Sequence, residues 1–161
     1  KDRHELRRKL RKLSQGGDVR LEAIDQTGAV EAALDDFLRL YRESRADKAA
    51  FMTEKMERFF RAIVAALAVE GQVELFFLTL SGVRVAAVLC FCAGDESLLY
   101  NSGYDPDYAY LSVGLLSKAL VLRKAIEEGK QRFDFLRGPE PYKYDLGATD
   151  RPVYQCTVRR S

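Results

Sequence analysis

The sequence predicts a single mixed α/β domain, one sheet with helices on both faces, and three observations carry that expectation. Apolar residues recur at helical spacing as far as Leu67, then switch to strand-like runs from Val73 onward. Three such runs are joined by connections so short that they must be antiparallel neighbours. A helical stretch then separates the third run from another short strand, the order that produces a right-handed crossover and a parallel pair. A chain of 161 residues, 47% of them hydrophobic, is long enough to bury one core.

Each element has its own signal. Leu6, Leu10 and Leu13 recur at helical spacing in "KDRHELRRKLRKL", and Gly16–Gly17 ends that helix. "DVRLEAID" (18–25) alternates Val19, Leu21 and Ala23 against charged neighbours, as a half-buried strand does. Val30, Ala33, Leu34, Phe37, Leu38 and Tyr41 form one helical stripe, followed by the linker "SRADKAAFM". A second long helix carries Met56, Phe59, Phe60, Ile63 and Leu67, with Thr53 as its cap and Gly71 as its stop. The meander comprises 73–80, 84–93 and 97–104, and its middle run is apolar on both faces, hence central and covered. Ser112 is placed to cap a helix reaching Glu128, with Leu115, Ala119, Leu122 and Ile126 inward and Gly129 closing it. "RFDFL" (132–136) and "PVYQCTV" (152–158) complete the expected strands.

Charge and cysteine content narrow the function. The net charge is only +2, which argues against a protein driven electrostatically onto nucleic acid and gives no reason to expect sequence-specific binding to it. The positive charge is local: seven Lys or Arg of the first thirteen residues face only Asp2 and Glu5. That stretch reads as a solvated helix with one apolar ridge, or as a docking element for a preceding segment or an anionic surface. Cys90 and Cys92 share one strand face and His4 is the only histidine, so the residues offer no zinc set and no metal is expected. Three cysteines, an odd number, fit buried thiols in a reducing, cytoplasmic compartment. No run approaches the ~18 apolar residues of a membrane span. The first residue is Lys1, and a preceding segment is expected.

The candidate site lies in "LLYNSGYDPDYAYLSVGLLSKALV" (98–121), where strand hands over to helix. A helix start presents unpaired amides and a partial positive charge. Gly114, in the first turn, would let an anion come close. Ser-x-Gly also serves simply as a cap, so position must strengthen the signal. The expected parallel strand ends nearby and leads into "RGPEPYKYDLG" (137–147), with Arg137, Glu140, Tyr142, Lys143, Tyr144 and Asp145. Two polar, aromatic clusters thus converge where open α/β sheets bind ligands.

This order of elements resembles the GNAT acyltransferase fold and, within it, the FemAB-related, CelD-type branch. The resemblance rests on "ELRRKLRKL", "FLRLYRESR", "VRVAAVLCF", the 100–121 stretch, "RFDFLRG" and "EPYKYDLG". It covers nearly the whole chain, residues 1–161, as one domain whose first 17 residues act as a basic connector after a further GNAT-like domain. It implies acyl or aminoacyl transfer to an amine, small-molecule or in the cell envelope. The pyrophosphate loop keeps only Gly114 of its spaced glycines, so the donor is acetyl-CoA, another acyl-CoA or an aminoacyl-tRNA.

On this basis Gly103, Ser112, Val113 and Gly114 are expected to hold the donor through backbone amides, and amides near Gly103 and Tyr104 to stabilise the oxyanion. Asp105 or Asp107 would accept the acceptor's proton, and Tyr104 or Tyr142 would supply one to the leaving group. Lys143 and Arg137 would bind donor phosphates or an anionic acceptor, and Arg45 would close over the same edge to bind substrate. Asp105 before Pro106 is equally a turn starter. The competing reading is an inactive GNAT-like domain that binds a ligand or a protein.

Overall fold

The computed structural model describes residues 2–159. The helices are α1 (Asp2–Gln15), α2 (Thr27–Glu43), α3 (Ala46–Phe51), α4 (Glu54–Val69), α5 (Val113–Glu127) and α6 (Pro141–Asp145). The strands are β1 (Val19–Ile24), β2 (Val73–Leu80), β3 (Val83–Ala93), β4 (Glu96–Tyr104) and β5 (Arg132–Asp134). They form one sheet in the order β1-β2-β3-β4-β5, antiparallel except for the β4–β5 pair.

Strand periodicity explains why both faces are covered. Val73, Leu75, Phe77, Ala87 and Leu89 point to one face, where the stripe of α2 and Phe60, Val64 and Ala68 of α4 bury them. Leu78, Leu80, Val85 and Ala86 point to the other, against Val113, Leu116 and Leu120 of α5 and Leu13 of α1. Phe76, Val88 and Cys90 continue that second layer toward Val121. The β2–β3 hairpin turns on Ser81 (φ 49°) and Gly82 (φ 83°), the left-handed pair that suits the twist of a two-residue turn.

Several details depart from the expectations. The linker 44–52 contains α3, anchored where Met52 is buried. Of the two phenylalanines expected on the α4 stripe, Phe60 sits in the core and Phe59 is exposed. The inward face of α5 is rotated: Leu116, Leu120, Val121 and Ala125 are buried, whereas Ile126 is exposed. Its apolar residues run almost all round, so spacing alone left the facing side open. Strand β5 stops at Asp134, whose carboxylate accepts the Leu136 amide at 2.7 Å and turns the chain. Residues 152–158 pair with nothing and are exposed, so the last expected strand is not formed.

The α1 ridge turns inward as well. Leu6, Leu10 and Leu13 pack against the α5 side of the core, and the Lys12 ammonium donates to the Tyr110 carbonyl at 2.9 Å. That ridge belongs to this domain and is not free for a separate partner.

Candidate functional site

Strand β5 pairs only with Glu96–Leu98, so β4 runs on to Tyr104 without that neighbour. The two strand ends therefore do not lie side by side. The chain after β5 closes the gap, carrying Tyr142 back toward Tyr104 and the start of α5. An open cleft of about 290 Å³ results, lined by Lys9, Tyr104, Ser112, Gly114, Lys118 and Tyr142 among others, with no carboxylate among the described residues of its wall.

The entry to α5 is sharper than a simple cap. Asp105 caps the 3-10 turn Pro106–Leu111, accepting the Asp107 amide at 2.9 Å. Ser112 then takes left-handed dihedrals (φ 59°, ψ 31°), and its hydroxyl makes no capping bond. Its carbonyl accepts the Leu115 and Leu116 amides at 3.1 and 3.0 Å, which puts Val113 and Gly114 at the open end of the helix. The Val113 side chain is fully buried. A Cβ on Gly114 would sit 2.8 Å from the Tyr104 ring, so glycine here lets that ring lie across the helix start.

Other expected residues serve packing. Gly103 is pressed on α2, where a Cβ would lie 2.4 Å from the Tyr41 amide nitrogen, so helix and strand meet backbone to backbone. An exposed oxyanion amide at Gly103 does not fit that burial. Lys143, 5% exposed, donates to the carbonyls of Leu136, Arg137 and Gly138 at 3.3, 2.8 and 3.0 Å and pairs with Glu140 at 2.8 Å. It ties the loop after β5 and does not open into the cleft. Arg137 contributes that carbonyl, while its side chain is exposed. Arg45 pairs with Asp47 at 2.8 Å in solvent, at the start of α3.

Sequence reading missed Lys118 and Lys48. Lys118 is only 9% exposed; its ammonium donates to the Gly114 carbonyl at 2.5 Å and lies 4.9 Å from the Tyr142 ring centre. Burial, then the nearby Lys48 charge, depress its pKa to about 8. Lys48, on α3, donates to the Ser102 carbonyl at 2.5 Å and lies 4.9 Å from the Tyr41 ring centre. Burial and then Arg45 bring its pKa to about 8 too. The only trace in the sequence is a lysine one turn into an apolar helix. Burial pushes the Tyr142 phenol up to about 12, with Glu140 adding to it.

Two of the three thiols are inert by the same logic: burial raises Cys90 well above the ordinary range and Cys92 to about 12, whereas Cys156 is exposed, against the expectation that the thiols are buried. Among the described residues no acidic, histidine or cysteine cluster could hold a metal, and no helix is long and apolar enough to cross a membrane.

Residues 1–144 match the family model for the acetyltransferase (GNAT) domain. The chain belongs to the GNAT acetyltransferase family.

Its fold is similar to that of several solved members. A putative acetyltransferase (YycN) from Bacillus subtilis is 13% identical with a TM-score of 0.59, the match covering 89% of this chain and 100% of that one. An aminoglycoside acetyltransferase from an uncultured soil metagenomic sample, solved with sisomicin, is 12% identical with a TM-score of 0.59, covering 88% and 97%. The aminoglycoside N-acetyltransferase AAC(6')-Iy, solved with CoA, is 13% identical with a TM-score of 0.55, covering 88% and 96%. At these identities the likeness is one of fold. No curated protein matches the chain.

Proposed function

We propose that this GNAT domain is an N-acyltransferase that moves an acyl group from acyl-CoA to the amine of a small-molecule or cell-envelope acceptor. The observation that carries the reading is the cleft at the start of α5, with its open helix end and an all-cationic charge set. That donor set suits a phosphate-bearing carrier: the open helix end at Gly114 and the Lys9 ammonium can hold its phosphates, with Val113 packed beneath. A neighbouring fold solved with CoA supports the choice of carrier.

Bound acyl-CoA would supply a thioester whose carbonyl carbon accepts the amine as the carbon–sulfur bond breaks. Tyr142 keeps its phenolic proton at neutral pH and is the better placed donor to a departing thiolate, with Tyr104 beside it. Asp105 is engaged with the Asp107 amide, so the ammonium proton of the acceptor passes to water in the open cleft. Tyr104, Tyr142, Ser112, Val113 and Gly114 stay in the proposed site; Gly103 and Lys143 support it from outside. We assign the chain to the FemAB-related, CelD-type branch, in a cytoplasmic protein with a further GNAT-like domain ahead of it, on the motifs quoted above.

Calorimetric titration with acetyl-CoA, together with thiol release across a panel of amines, tests the reading. Saturable binding that weakens in Lys9→Met, and thiol release that needs an amine, are expected. Discharge of aminoacyl-tRNA without CoA binding would replace the donor. Among the described residues the cleft wall holds no carboxylate to act as base, which favours one second reading, a binding domain without turnover. CoA binding with no acceptor-dependent thiol release would establish it.

A further inference from the structure

Around the carboxyl end of β4, two ammonium groups hang on backbone carbonyls on either side of Tyr104. Lys48 reaches the Ser102 carbonyl, two residues before Tyr104, and Lys118 reaches the carbonyl of Gly114, a residue whose Cα the Tyr104 ring covers. Among the described residues neither has a carboxylate within 4.0 Å. The nearest acids are engaged elsewhere: Asp47 pairs with Arg45 and Glu140 with Lys143.

An ammonium has three donors, and one carbonyl each leaves most of that capacity unused. Holding Lys118 buried and Lys48 half-buried without a counter-ion carries a desolvation cost for both charges. Lys143 shows what a structural lysine looks like in the same fold, with three carbonyls and a carboxylate around it. Lys118, buried in the cleft wall, and Lys48, half-buried and near enough for its charge to act on Lys118, have the opposite character: both are short of negative charge.

We propose that Lys48 and Lys118 form an anion subsite for the acceptor, so that the amine substrate also carries a carboxylate and is not a polycation. This rests on the transferase reading and names the substrate class it takes. The carrier's phosphates have the start of α5 at Gly114 and Lys9. Lys48, from the segment joining the two long helices α2 and α4, gives the second substrate its own charge partner. A polyamine would meet the Lys9 and Lys118 ammonium groups, and no acid among the described residues that line the cleft.

The experiment uses the full chain with matched acceptors, ω-amino acids of increasing length and their carboxamides, and acetyl-CoA as donor. A charge-assisted contact of ~1.5–3 kcal/mol corresponds to a preference of about tenfold or more for the carboxylate in kcat/KM. Lys48→Met should bring that ratio near one by raising KM, Lys48→Arg should restore most of it, and acetyl-CoA affinity should stay within about threefold. A wild-type ratio near one, or better use of spermidine than of any amino acid, overturns the proposal. So does a loss of acetyl-CoA affinity in Lys48→Met with the ratio intact, because the lysines would then serve the donor.

A second arm needs no turnover and separates this idea from the transferase reading. N-acetylated ω-amino acids and their carboxamides are titrated calorimetrically against wild type, Lys48→Met and Lys118→Met. Binding by the carboxylates alone, lost in either variant, supports the subsite even if no amine is acetylated. Equal binding of both forms, or of neither, rejects it.

Discussion

Lys118 and Lys143 are both buried, and both reach backbone carbonyls near Tyr142, yet they do opposite things. Lys143 has three carbonyls and a carboxylate, and its charge organises the loop that follows β5. Lys118 has one carbonyl and the Tyr142 ring, and its charge stays poorly matched. Burial alone therefore does not tell a structural lysine from a functional one. The count of satisfied donors does, because the cost of a buried charge is set by what surrounds it.

The largest effect expected from this contrast is at Lys143. Lys143→Met removes four contacts at once and leaves three carbonyls of one loop to find water. A loss of ~3 kcal/mol is expected on the scale of breaking buried polar networks, read as a lower denaturant midpoint. An unchanged midpoint would erase the distinction between the two lysines.

Lys118→Met should move stability the other way. Methionine keeps the unbranched length and removes the charge, and a pKa near 8 against an ordinary 10.5 corresponds to ~3 kcal/mol at most, at 1.36 kcal/mol per unit. A gain of about 1–2 kcal/mol at pH 7 is expected, because the Gly114 carbonyl and the ring contact are also lost. A variant less stable than wild type at pH 7 would show that Lys118 is as well compensated as Lys143.

The same shift fixes a pH dependence. Below about pH 8 the lysine is charged in both folded and unfolded chains, and the full penalty is present. Between pH 8 and 10.5 the unfolded chain binds more protons, so wild-type stability rises with pH relative to Lys118→Met. Above 10.5 neither state is charged at this position, and the advantage of the variant disappears. Denaturant titrations of both proteins at pH 7 and pH 10 read this as a shrinking gap; a constant gap would mean that the charge is not what the substitution relieves.

Why one lysine could be read from the sequence and the other could not has a physical explanation. The fold was legible because the meander consists of short apolar runs joined by tight turns, and the α2 stripe recurs with helical period. Those patterns report burial directly, and Leu75, Phe77, Ala87 and Leu89 fall where the pattern puts them. The helix start at Val113 and its glycine were legible too. What the sequence hid was direction. "EPYKYD" draws the eye to Lys143, but whether its ammonium faces a ligand or its own loop depends on the left-handed turn at Leu136 (φ 56°). Lys118 lies in "GLLSKALV", an apolar helix whose inward side cannot be assigned from spacing, so its burial emerges only once α5 is packed against the sheet. Lys48 lies in a stretch that reads as linker.

Glu140 gives the smallest stability effect and the finest test, because its charge touches both lysines. It pairs directly with Lys143, and its own carboxyl is held below the usual range chiefly by that bond. It also favours the charged form of Lys118 from a distance and helps to raise the Tyr142 phenol. Its side chain is half-exposed, so Glu140→Gln should cost no more than about 1 kcal/mol, the range of solvent-screened pairs. Lys143 would keep its three carbonyls and the loop its shape. Lys118, deprived of the one acid that reaches it, should titrate lower still, and the Tyr142 phenol should move back down. Nitrogen-15 shifts of the lysine ammonium groups and the ultraviolet titration of the tyrosines read the two movements separately. A large loss of stability with no shift at Lys118 would mean that Glu140 serves the loop alone, and that Lys118 is set by burial and by Lys48.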